Sequence, residues 1–187
     1  MKHRLFLLIF LFLAPLSIIL AEDSTDKAFC EVAIEMENGE IPQFSYDYNY
    51  PYVRYRAEGV YGSSSPFRLK ITKPDNLYLY VLRSDSDFNA GEIPEPEQTL
   101  LTPIDKGKKE YLTFIFSQFP IDISESIEDM AYISGDYYER LQKTLKHGGL
   151  KVSPKDSENV RMVMNRAAFS ARGDSGILPL TIELFHQ

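Results

Sequence analysis

A chain of 187 residues with 27 acidic against 20 basic side chains carries a formal net charge of −7 at pH 7. That sign argues against nucleic acid or an anionic lipid surface as partner, because both require a basic footprint. One cysteine cannot form an internal disulfide, and with no CxxC pair or Cys/His cluster there is no zinc-ligand pattern.

Residues 1–21 have the three parts of a secretory signal peptide. Lys2 and Arg4 make a positive start, residues 5–13 are an unbroken apolar run, and Pro15 and Ser17 loosen the segment before Ile19, Leu20 and Ala21. Small Ala21 marks the expected cut. The alternative, an uncleaved anchor, meets a stretch interrupted by Pro15 and at the short edge of the ~20 residues a spanning helix needs. Lipid attachment would need a cysteine directly after the apolar core, whereas Cys30 follows Lys27, Ala28 and Phe29. Cleavage near Ala21 leaves residues 22–187 as a single domain with 18 basic against 27 acidic residues, a net charge of −9. No second apolar run follows, so the mature chain is expected to be soluble in a periplasm or outside the cell, with no membrane span.

Residues 29–36 alternate apolar and polar side chains and predict a first strand, with Cys30 as a small buried hydrophobe. Asn38 and Gly39 are turn residues. A tyrosine-dense stretch covers residues 44–61. In residues 67–72, Phe67, Leu69 and Ile71 alternate with Arg68, Lys70 and Thr72, the pattern of a half-buried strand. Residues 73–76 are turn chemistry and residues 77–82 an apolar and aromatic run suited to a strand covered on both faces, so the two strands predict a hairpin. A polar loop spans 83–97, a short strand is expected over 99–102, and 111–116 reads as another buried strand. Residues 124–130 suggest a helical turn, and a helix is expected from an N-cap at Ser134 to about His147, closed by Gly148. Val160, Met162 and Met164 alternate along a further strand, residues 171–176 form a loop, and Leu178, Leu180, Ile182 and Leu184 alternate along a last one. The fold class that follows is mainly β, a β-sandwich or small barrel-like domain with one helical insertion around 124–147.

The succession Phe67, Arg68, Leu69, Lys70, Ile71, a turn, then Leu77, Tyr78, Leu79, Tyr80, Val81 and Leu82 resembles the start of the bacterial domain of unknown function 4384 family. Residues 108–117 with Pro120, and the closing Ile182, Leu184 and His186, are similar to its later motifs, so the resemblance spans roughly residues 55–187. Residues 92–98 depart from the family's pattern. That family has no established activity; the resemblance implies an order of elements and no reaction.

Candidate chemistry is sparse. After the signal only His147 and His186 remain, one at a helix end and one beside the C-terminus, so neither promises the positioned imidazole of a catalytic triad. Asp85, Asp87 and Asn89 place oxygen side chains at alternate positions, as at the start of a calcium loop. Ala90 and Pro96 stand where such a loop carries Gly and Glu, and a solvated turn explains the same residues. Tyr46, Tyr48, Tyr50 and Tyr52 recur at period two with Arg54 nearby, which on an extended segment makes an aromatic row for binding; cross-strand packing is the competing use. Phosphate-loop, dinucleotide and HExxH motifs are absent. The expectation is an exported, non-enzymatic envelope domain that binds protein or a surface polymer without a cofactor. The alternatives are a hydrolase using carboxylates of residues 85–97 and a calcium-stabilised structural module.

Overall fold

The computed structural model describes residues 28–47, 54–61, 65–104, 108–149, 160–171 and 177–186. The signal peptide expected over residues 1–21 and its expected cut lie outside them. In chain order the strands are β1 (Ala28–Met36), β2 (Gln43–Asp47), β3 (Arg54–Tyr61), β4 (Phe67–Thr72), β5 (Tyr78–Ser84), β6 (Ala90–Glu92), β7 (Lys109–Ser117), β8 (Val160–Val163), β9 (Arg166–Ala171) and β10 (Ile177–His186). Helical turns occupy α1 (Ser124–Glu128), a 3-10 turn (Met130–Tyr132) and α2 (Tyr137–His147).

The strands form two sheets. One has the order β4-β1-β9-β8 and the other β2-β3-β10-β7-β5-β6. All pairings are antiparallel except β3 with β10. Both sheets are open, so the fold is a two-sheet arrangement and not a closed barrel. Alternation explains the core. Cys30, Val32, Ile34 and Met36 of β1 and Phe67, Leu69 and Ile71 of β4 meet Val81 of β5, Leu112, Phe114 and Phe116 of β7, and Leu180, Ile182 and Leu184 of β10. The opposite face of the six-stranded sheet, through Leu82, Tyr111 and Ile115, packs on Ile123, Ile127, Met130, Tyr137, Tyr138, Leu141 and Leu145. β7 therefore lies in the middle layer, and every residue from Glu110 to Ser117 is buried. A run without polar alternation is what such a position demands.

The expected hairpin of residues 67–82 is not one. β4 pairs with β1 while β5 pairs with β6 and β7, so the intervening turn carries the chain from one sheet to the other. Leu77 N–H donates to the Pro74 carbonyl at 3.1 Å and Lys73 Nζ to the Leu77 carbonyl at 2.7 Å, which fixes this crossing. The apolar faces of the two strands thus oppose each other across the core instead of lying side by side. The segment 99–102 contributes only one bridge, Leu101 to Phe67, and β6 is a strand inside the expected polar loop. Between Val163 and Arg166 the chain turns in two residues, making β9 a strand that replaces a single long one.

α2 starts later than Ser134. Asp136 is its N-cap, accepting from Glu139 N–H at 3.0 Å, because the short carboxylate satisfies an otherwise orphaned helix donor. At its other end Gly148 N–H donates to the Thr144 carbonyl at 3.1 Å, and Gly149 takes the left-handed conformation (φ 73°) that glycine adopts without strain.

Cys30 is buried as expected, and burial pushes its thiol up to about 12 against a small opposing pull from Lys73. Only the thiolate is nucleophilic. Iodoacetamide at about pH 9, the ordinary thiol range, is therefore expected to alkylate the chain in denaturant and spare it when folded. Equal labelling rates would show that the thiol is accessible in the folded state. The sign for stability follows: the contribution is complete below the unfolded thiol's range and is lost as pH rises towards 12.

Candidate functional site

β2 is an edge strand of the six-stranded sheet, held on its inner side by β3. Tyr46 on β2 has Tyr55 on β3 as its Cα partner, and Arg54 opens β3 opposite Asp47. The row of tyrosines therefore does not run along one strand: the chain reverses between Asp47 and Arg54. Tyr48, Tyr50 and Tyr52 belong to the connection and lie outside the described residues. β2 lies close to β8 of the other sheet, and Phe44 N–H donates to the Met164 carbonyl, in the turn that follows β8, at 2.7 Å.

In the loop joining β5 to β6, Asp85 acts as a local acceptor. Its Oδ1 receives Asp87 N–H at 2.9 Å and Asn89 N–H at 3.0 Å, and its Oδ2 receives Asn89 Nδ2 at 2.8 Å. That is the bonding of a side-chain-capped turn. Asp87 and Asn89 are exposed, as are Glu92, Glu95 and Glu97. Among the described residues no three or more His, Cys, Asp or Glu side chains gather closely enough to hold a metal ion. Phe88 is held at a left-handed φ of 67°, with its ring 6.2 Å from Tyr111 and 6.4 Å from Tyr137 and the Arg140 guanidinium 4.3 Å above it. The loop is thereby fastened to α2.

Two buried carboxylates stand on opposite faces of the six-stranded sheet. Glu110, on the sandwich face, is fully buried and receives both Arg83 Nε at 2.6 Å and a second Arg83 nitrogen at 3.0 Å. Arg83 also donates to the Thr102 carbonyl. Glu183, on the helix face, accepts from the Tyr138 hydroxyl at 3.2 Å and pairs with Lys109 at 3.3 Å. Beside it Thr113 is hydrogen-bonded to Thr181 at 2.8 Å and to the Tyr137 hydroxyl at 2.7 Å. Burial, partly countered by the Thr113 bond, raises the Tyr137 hydroxyl's pKa, so it stays a neutral partner at every physiological pH. These groups form a polar seam under α2. With the sheet between them, Glu110 and Glu183 do not face each other as an acid/base pair would.

Neither carboxylate stood out in the sequence among 27 acidic residues. The available signal is positional: Glu110 follows Lys109 at the start of the apolar run of β7, and Glu183 is the one carboxylate within β10. His147 is exposed at the end of α2 and His186 lies on β10 with Tyr61 as its register partner. No helix among the described residues is long and apolar enough to cross a membrane. No family model, no curated protein and no solved structure matches the chain.

Proposed function

We propose that the chain is an exported envelope domain without enzymatic activity, which binds a protein or a surface polymer through the tyrosine-bearing edge of its larger sheet. The observation that carries this reading is the place of β2. It is an edge strand, it bears Tyr46, and its six-residue connection to β3 contains Tyr48, Tyr50 and Tyr52. Tyrosine supplies a large amphipathic contact at small entropic cost, which is why it is enriched at recognition surfaces. An edge strand also leaves one side of its backbone outside the sheet's own ladder.

Residues 22–187, immobilised and exposed to envelope extract at low salt, are expected to retain a defined partner. The variant combining Tyr48→Ser, Tyr50→Ser and Tyr52→Ser should bind it about tenfold more weakly, the scale of a lost aromatic anchor. Failure of the unmodified domain to retain any partner, or equal retention by the variant, rejects the reading.

A further inference from the structure

Asn38 is followed by Gly39, the one Asn-Gly step in the chain. Asparagine is a thermolabile residue, because the backbone nitrogen of the next residue can attack its side-chain amide. A glycine there leaves that nitrogen unshielded. Asn76, Asn89 and Asn165 instead precede Leu77, Ala90 and Arg166, whose side chains crowd the approach. The Asn38 step lies in the connection from β1 to β2, where residues 37–40 are all exposed. A Cβ placed on Gly39 would meet nothing within 4 Å, so water and base reach the step freely.

The same step is held by three hydrogen bonds. Gly39 N–H donates to the Met36 carbonyl at 3.1 Å, Asn38 Nδ2 donates to Ser65 Oγ at 2.9 Å, and Asn38 Oδ1 accepts from Glu40 N–H at 3.0 Å. Glu37 N–H donates to the Pro66 carbonyl at 2.8 Å, which docks the segment carrying Ser65 against the turn. Ring closure must break the first two bonds. The Gly39 nitrogen has to lose the proton it shares with Met36, and Nδ2 is the leaving group. The third bond fixes the orientation of the amide that would have to turn.

We propose that Asn38 is a site of spontaneous deamidation that the folded corner restrains, with Ser65 holding the amide back. Hydroxide takes the Gly39 amide proton, the nitrogen bonds to Asn38 Cγ, and the Cγ–Nδ2 bond breaks. Nδ2 leaves as ammonia, its third hydrogen drawn from water, which restores the hydroxide. Water then opens the cyclic imide at either carbonyl. One opening leaves aspartate at position 38. The other leaves an isoaspartyl link, which routes the main chain through the side-chain carbon and lengthens it by one atom. Either product adds a negative charge beside Glu37 and Glu40 and removes the donor to Ser65.

Residues 22–187 are incubated in mildly alkaline buffer, folded and in guanidinium chloride, and peptide mapping follows the mass gain at Asn38. The folded rate should be about tenfold lower, about fivefold from the backbone bond and about twofold from the exposed Ser65 bond. Ser65→Ala should raise the folded rate about twofold and leave the unfolded rate and the melting temperature unchanged. Ser65→Thr keeps a hydroxyl acceptor and should match the unmodified domain. No mass gain at Asn38 in denaturant removes the site. A folded rate equal to or above the unfolded one overturns the restraint. A folded Ser65→Ala that reacts no faster than the unmodified domain, or Ser65→Thr that reacts as fast as the unfolded chain, removes Ser65 from it.

Discussion

Arg83→Met is expected to cost about 3–5 kcal/mol of folding stability, the range for removing one partner of a buried ion pair. The Glu110 side chain has no exposure and that of Arg83 only 19%, so little solvent screening discounts the effect. The guanidinium contacts both Glu110 oxygens and also reaches the Thr102 carbonyl, so one substitution removes the charge partner from β7 and the tie to the chain leading into it. Urea unfolding measures the loss. Arg83→Lys keeps the charge without the planar fork, so it should fall between the two. The paired variant Arg83→Met with Glu110→Leu should recover much of the loss, because it removes the stranded carboxylate along with its partner. A loss below about 1 kcal/mol for Arg83→Met would mean that the pair behaves as a surface one.

Tyr137→Ala is expected to cost a comparable amount, about 3–5 kcal/mol, as for other buried aromatic truncations. Tyr137 is 1% exposed, stacks on Tyr111 with ring centres 4.1 Å apart and planes 2° apart, and meets Tyr138 edge-on at 5.8 Å. It opens α2 and ties that helix to β7 through Thr113. Tyr137→Phe isolates the hydroxyl. Its cost should be about 1 kcal/mol, the net worth of one hydrogen bond, because Thr113 keeps Thr181 as partner. Hydrogen exchange should localise the Tyr137→Ala effect, with the amides of α2 losing protection before those of β7. Equal losses for the two variants would transfer the main role from the ring to the hydroxyl network.

The two substitutions also mark how unevenly the molecule could be read from its residues. Tyr137 sits in a helix that the spacing of Tyr138, Leu141 and Leu145 announces, and only its start moves, from Ser134 to the Asp136 cap. Both residues suit an N-cap, and local chemistry does not rank them. Arg83 and Glu110 are 27 positions apart and carry no shared local signal. Their pairing depends on β5 and β7 being neighbours in register, with Leu112 as the Cα partner of Arg83.

The candidate site shows the same division. The tyrosine period is visible in the sequence, but the chain reverses between Asp47 and Arg54, which puts Tyr46 on β2 and Arg54 on β3. Alternation over Val160, Met162 and Met164 suggested one strand running on. A two-residue turn without glycine gives no local punctuation, so its position emerges only from the pairing of Val163 with Arg166.

By itself, then, the sequence determined the β-rich class, the apolar face of each alternating strand, the buried character of β7 and the place of the helical layer. These follow from side-chain period and local capping, which act over a few residues. The tertiary structure alone decided which sheet each strand joins, that β4 and β5 face each other across the core, which face receives Glu110 and which Glu183, and that Met164 lies on a turn beside the sheet edge. Backbone hydrogen bonds between strands are indifferent to side-chain identity. Partner choice is set by how all the apolar faces can be buried at once, a condition on the whole chain that no single segment carries.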